Sequence, residues 1–134
     1  MIKIQKENFQ VDYEIEKIKS LNNEIGAVTN FIGYVRNINN SKKVKSIYVE
    51  VYEEMAIKSL KKICENAKNK WNLIDYLVIH RFGNLSINDK IVLVSTFSKH
   101  RKESFESCNF IMDYLKKEAP FWKKEFYDDK SSWL

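Results

Sequence analysis

The sequence predicts an α+β fold in which helices flank a mixed, mostly antiparallel sheet. Three observations carry that expectation. Segments with helical spacing of apolar residues are separated by pairs of strand-like segments, so the chain does not read as a series of parallel β-α-β units. Two stretches, 73–80 and 90–97, are apolar on both faces and read as central strands. Three glycines and one proline in 134 residues leave little room for a linker and favour one domain over residues 1–134.

Taken in order, Ile2 to Ile4 reads as a short strand. Asp12 to Leu21 reads as a helix, with Ile15, Ile18 and Leu21 in register and Asp12 placed to cap it. Glu24 to Arg36 is rich in β-branched and aromatic residues and reads as a long strand. Asn37 to Lys43 is polar and reads as a loop. From Lys45 to Tyr52, Ile47, Val49 and Val51 alternate with Tyr48, Glu50 and Tyr52, the pattern of a half-buried strand. Glu54 to Trp71 carries an apolar stripe of Leu60, Ile63, Ala67 and Trp71 opposite lysines and glutamates, an amphipathic helix. The two central strands follow, joined by a turn over 82–89. Arg101 to Lys117 reads as a third helix, with Phe105, Cys108, Met112 and Leu115 turned inward. Pro120 cannot continue it and biases Ala119 towards extended backbone. The remaining residues predict a strand and an ordered tail.

Composition narrows the function. The formal net charge is +5, which favours anionic partners. No run of about 18 apolar residues exists, so no membrane partner is expected. The N-terminus lacks an apolar signal core, so a cytoplasmic location is expected. Cys64 and Cys108 lie outside any CxxC pattern and on apolar helix faces, so both read as structural thiols. Glycine-rich phosphate loops and a marked nucleophile are absent, and the two histidines exclude a His-rich metal site; no metal and no cofactor are expected.

The candidate chemistry is cationic. His100 and Arg101 open the third helix, where free N–H groups and the positive dipole end suit a phosphate; a solvated turn is the alternative. Lys116 and Lys123 flank the break at Pro120, between which Phe121 and Trp122 offer a wall. Two ammonium groups brought together would lower each other's pKa and yield a base or nucleophile near neutral pH; solvated lysines around a core Phe-Trp pair are the alternative. Arg36 ends a strand beside a polar loop, a position suited to clamping an anion and equally common at a plain surface. Tyr48, Tyr52 and Phe97 on strands, with a basic surface, would also permit a non-catalytic anion- or RNA-binding module.

Four pieces in register carry a family resemblance: FxGxVRN from Phe31 to Asn37, HRxGxL from His80 to Leu85, SxHRxxxF from Ser98 to Phe105, and FIMDYLKxxAPFWKxE from Phe110 to Glu125. Together they resemble the large, catalytic subunit of molybdopterin synthase, over about residues 9 to 127. The resemblance implies an α/β-hammerhead-type fold and a homodimer within a heterotetramer. It implies as partner a small ubiquitin-like sulfur-carrier subunit with a C-terminal thiocarboxylate. The implied substrate is cyclic pyranopterin monophosphate, with no nucleic acid and no catalytic cysteine. By the same resemblance Lys116 and Lys123 are catalytic, and Arg36, His100 and Arg101 bind substrate, the last two in the cavity of the other protomer. Phe31 and Met112 line the pocket, and Glu125 pairs with a lysine. An inactive scaffold that still binds the partner is the remaining alternative. Asn84 stands where the family often has an acid, and a further basic residue frequent near the family's C-terminus is not found after Ser131-Ser132-Trp133-Leu134; both bear on substrate affinity.

Overall fold

The computed structural model describes residues 1–128 and 130–134. In chain order the elements are β1 (Ile2–Gln5), α1 (Val11–Lys19), β2 (Ala27–Tyr34), β3 (Ile38–Asn39), β4 (Lys42–Lys43) and β5 (Ser46–Val51). There follow α2 (Glu53–Trp71), β6 (Asp75–Arg81), β7 (Gly83–Ser86), β8 (Lys90–Ser98), α3 (Arg101–Lys117), β9 (Phe121–Tyr127) and β10 (Lys130–Trp133). The α+β expectation holds, with the strands divided between two four-stranded sheets and one hairpin. One sheet runs β1-β6-β8-β2, parallel only between β1 and β6; the other runs β10-β9-β5-β7 and is antiparallel throughout.

The first sheet is buried on both faces, which is why its inner strands read as continuous apolar runs. Leu77 and Ile79 of β6, with Leu93 and Phe97 of β8, pack with Ile15 and Ile18 of α1. Tyr76 and Val78, with Val92 and Val94, pack on the other face with Leu60 and Cys64 of α2 and Cys108 and Ile111 of α3. By the period of two, His80 points to this second face, where the second sheet lies. Ile47 and Val49 of β5 join the same core, as their alternation required.

Several boundaries differ from the sequence expectation for identifiable reasons. Helix α1 stops at Lys19, so Leu21 lies beyond it and is exposed; Gln10 is the N-cap residue, and Asp12 sits in the first turn. The polar segment after Asn37 is a hairpin of β3 and β4 turned by Asn40 and Ser41, both at positive φ (50° and 65°), as a two-residue primed turn requires. The segment expected as a turn contains β7, which pairs with β5. The tail forms β10 against β9.

Phe105 is corrected: it is 63% exposed. The face of α3 against the sheet is Ser104, Ser107, Cys108 and Ile111, all buried. Ser104 Oγ lies 2.6 Å from Thr29 Oγ1, and Thr96 Oγ1 donates to the Ser104 carbonyl at 2.7 Å. Small hydrogen-bonding residues let the helix sit close on β2 and β8, and this turns Phe105 outward.

Gly26 N–H donates to the Ser98 carbonyl at 2.9 Å, and a Cβ on Gly26 would collide with the backbone carbonyl of Lys99. Because backbone cannot rotate away, Gly26→Ala is expected to cost about 1–3 kcal/mol, as overpacking does. A urea unfolding curve with an unmoved midpoint would contradict that packing.

Candidate functional site

The two sheets diverge around a cavity of about 610 Å³. The side chains of interest on its walls come from five directions. Phe31 and Arg36 stand in and just after β2; Met112 and Lys116 lie on the last turns of α3; Phe121, Lys123 and Glu125 share one face of β9; His80 closes the floor from β6; Asn39 enters from the hairpin. Five of the seven residues singled out from the sequence therefore meet in one place: Phe31, Arg36, Met112, Lys116 and Lys123. His100 and Arg101 do not line the cavity. They are exposed at the opposite end of α3, and His100 borders a shallow groove with Lys70, Trp71 and Asn72. A 17-residue helix separates them from Lys116 by about 24 Å of rise.

The convergence of the lysines is produced by Pro120. Helix α3 ends at Lys117, Pro120 is buried, and β9 leaves antiparallel to β5, pairing Phe121 with Val51 and Lys123 with Val49. Lys116 is exposed at the mouth and Lys123 is half-buried on the wall. Burial holds the Lys123 ammonium below the ordinary lysine range. The expected mutual repulsion of the two lysines is not the cause; desolvation is.

Glu125 is corrected as well. It is buried, and among the described residues no lysine or arginine lies within ion-pair distance of it. Its carboxylate accepts two bonds from Asn39 Nδ2, at 3.0 and 2.9 Å, and one from the Tyr127 hydroxyl at 2.8 Å. The acid thus anchors the β3–β4 hairpin to the cavity wall. Asn39 had no sequence signal, since its role depends on a turn that closes only in three dimensions.

His80 is the wall residue that the sequence left without a role. It is buried, and its Nδ1–H donates to the Arg81 carbonyl at 2.8 Å; a carbonyl can only accept, so the tautomer is set. Its ring stacks on Phe121 with centroids 3.8 Å apart and planes at 17°. Burial, helped by the neighbouring charge of Lys123, lowers its pKa to about 4, so the ring is neutral at physiological pH.

Both thiols are buried in the core, as their apolar faces suggested, and neither lines the cavity. Among the described residues no group of three or more His, Cys, Asp or Glu side chains is placed to hold a metal ion, and no helix is long and apolar enough to cross a membrane.

The class is thus an α+β scaffold whose two sheets line one cavity with two lysines, an arginine and a neutral imidazole. More specifically, the chain belongs to the MoaE protein family, whose model matches residues 4–118. It is 47% identical over 133 residues to the molybdopterin synthase catalytic subunit of Ralstonia nicotianae, covering 99% of this chain and 76% of the relative. It is 44% identical over 133 residues to that of Vibrio cholerae, covering 99% and 88%. The solved structure of molybdopterin synthase from Staphylococcus aureus superposes with a TM-score of 0.91 at 32% identity, covering 98% of this chain and 95% of that one. These relatives are enzyme subunits of molybdenum cofactor biosynthesis, and the alignments extend through the β9 lysine that lies beyond the family-model match.

Burial raises the thiol of Cys64 to about 12 and that of Cys108 to about 11. Both therefore stay protonated, and neither should alkylate with iodoacetamide in the folded protein at pH 8, although both should in urea. Mass spectrometry of the labelled protein reads this directly, and rapid labelling of either thiol in the native state would contradict its burial.

Proposed function

We propose that the chain transfers sulfur from the C-terminal thiocarboxylate of a small ubiquitin-like partner to cyclic pyranopterin monophosphate, in two transfers that build the molybdopterin dithiolene. The observation that carries this reading is the meeting of Lys116, Lys123 and Arg36 in one cavity whose wall contains no thiol. Sulfur must then arrive on another molecule, and an anionic tail has a cationic cavity to enter.

The two lysines divide the work by environment. Lys116, exposed at the mouth, neutralises the incoming thiocarboxylate and the negative charge that builds on the acyl group. Lys123 sits deeper, and its lowered pKa eases the give and take of a proton as sulfur adds to the substrate and water then cleaves the resulting thioester, releasing the partner's tail as a carboxylate. Arg36 holds the substrate phosphate, and Phe31 and Met112 pack against the pterin. His100 and Arg101, too far along α3 to reach their own cavity, serve that of a second copy in a homodimer, with one small subunit at each end.

An RNA-binding module is disfavoured because Phe97, one of its three stacking candidates, is wholly buried.

Reconstitution tests the reading. Protein, thiocarboxylated small subunit and cyclic pyranopterin monophosphate are expected to yield molybdopterin, assayed as its fluorescent oxidation product. Lys116→Ala and Lys123→Ala should each lose about a hundredfold or more in rate while remaining folded. No product despite partner binding would leave the inactive scaffold standing. Mixing folded Lys116→Ala with folded Arg101→Ala should restore activity that neither has alone, because a mixed dimer rebuilds one intact cavity. Failure of mixed dimers to recover activity would remove the cross-protomer role.

A further inference from the structure

The His80-Arg81 pair stands out in the sequence, yet the proposed reaction gives it no task. Arg81 is accounted for by structure: its Nε donates to the Lys6 carbonyl and its Nη1 to the Lys90 carbonyl, each at 3.0 Å, and this ties the chain after β1 to β6 and β8. His80 is different. One edge of its ring is committed to the Arg81 carbonyl, one face lies on Phe121, and the residue still borders the cavity.

We propose that His80 is a positioning residue for Lys123, acting through its stack on Phe121 and keeping water away from the base of the lysine. The link between the two residues runs along β9. Phe121 and Lys123 are two residues apart on one strand and therefore project from the same face. The stack fixes Phe121 against the first sheet at the point where β9 begins, directly after Pro120. The ring also occupies the cavity floor beside Lys123, where a water would otherwise hydrate the ammonium. A neutral ring is required for this, since a cation there would repel Lys123, and the apolar setting of His80 supplies it.

Other charged groups around Lys123 do not substitute for this effect. Arg36 enters from the end of β2 and Lys116 from α3; both are cations exposed to solvent. Glu125, on β9 itself, is occupied by Asn39 and Tyr127. Just after β10, Leu134 meets Lys123 through the backbone, its N–H donating to the Lys123 carbonyl at 2.8 Å. Nothing on β5 opposite Lys123 is charged, since its partner there is Val49.

The test reads Lys123 itself, so it does not depend on the sulfur-transfer reading; only its kinetic arm rests on that. Protein labelled with 13C at the lysine ε-carbon is titrated by NMR, and the Lys123 signal is assigned by its loss in Lys123→Arg. The wild-type midpoint is expected below the ordinary lysine value of about 10.4. His80→Phe preserves the stack and should keep the midpoint low. His80→Ala should hydrate Lys123 and raise the midpoint towards the ordinary value, with kcat falling about tenfold or more and KM changing little. A lysine that is merely near a destabilised core would lose rate without moving its midpoint. If His80→Ala does not fold, Phe121→Ala removes the stack from its other side and should raise the midpoint equally. An unmoved Lys123 midpoint in whichever of these alanine variants folds overturns the proposal. A moved midpoint in protein that makes no molybdopterin would keep the proposal and sink only the assigned reaction.

Discussion

Everything at the cavity depends on the reversal at Pro120. Had α3 continued, Lys116 and Lys123 would stand seven residues apart on one helix face, about 10 Å along a single wall. A lysine pair so placed is a solvated stripe. Proline ends the ladder of helical hydrogen bonds, and its burial fixes where the chain turns. The next residues then pair with β5 over six positions, from Val51 opposite Phe121 to Ser46 opposite Phe126. The helical period gives way to the strand period, and Lys123 reaches the cavity from a wall that Lys116 does not share. The same change of period puts Phe121, Lys123 and Glu125 in one row, so one strand supplies a stacking surface, a cation and the anchor for the hairpin.

This arrangement has an energetic cost that the rest of the fold must cover. A half-buried lysine with a lowered pKa is less stable charged in the folded chain than in the unfolded one. Between the lowered folded pKa and the ordinary unfolded value, the unfolded chain binds more protons, so stability rises with pH in that window. Below the window both states are protonated and the full cost of the buried charge remains. The doubly covered sheet offsets it: Leu77, Ile79, Leu93 and Phe97 on one face, and Val78 and Val94 on the other, are almost fully buried. A rigid two-sided sheet is what allows the second sheet to open away from it and leave a cavity between them.

The legible parts of the sequence were those governed by period alone. The central strands, the α2 stripe and the alternation of β5 follow from side chains whose burial is their only task. The failures have a common cause in polar residues that satisfy one another. Ser104 and Thr96 replace an apolar contact, so Phe105 was placed inside although Cys108, Met112 and Leu115 do face the core. Asn39 holds Glu125 across 86 positions of sequence, a contact no local pattern can display, and the acid was paired with a lysine instead. Asn40 and Ser41 make a primed turn without glycine, so a hairpin looked like a loop. Of the site, the lysines, Arg36, Phe31 and Met112 were named by family resemblance together with the break at Pro120. His80 escaped because a histidine inside an apolar run reads as core, which in burial it is; only the divergence of the sheets gives its ring a cavity to face.

The distribution of reactive groups explains why such a cavity should be open and cationic. Cys64 and Cys108 are sealed in apolar surroundings that keep their sulfurs protonated, so the chain offers no nucleophilic sulfur of its own. On the proposed reaction, sulfur must be admitted on a carrier, and an anionic carrier tail would need a path at least as wide as an extended peptide together with charge along it. Helix α3 presents basic residues at both ends, Lys116 and Lys117 at one and His100 and Arg101 at the other. A rod of about 24 Å cannot bring both ends to a single ligand. Either the far pair is idle, or, as proposed above, a second copy places it in the neighbouring cavity, where the helix N-terminus would offer its free N–H groups to a bound phosphate. Only the second arrangement, the proposed homodimer, would give both ends of α3 a ligand, and it would make each site the product of two chains.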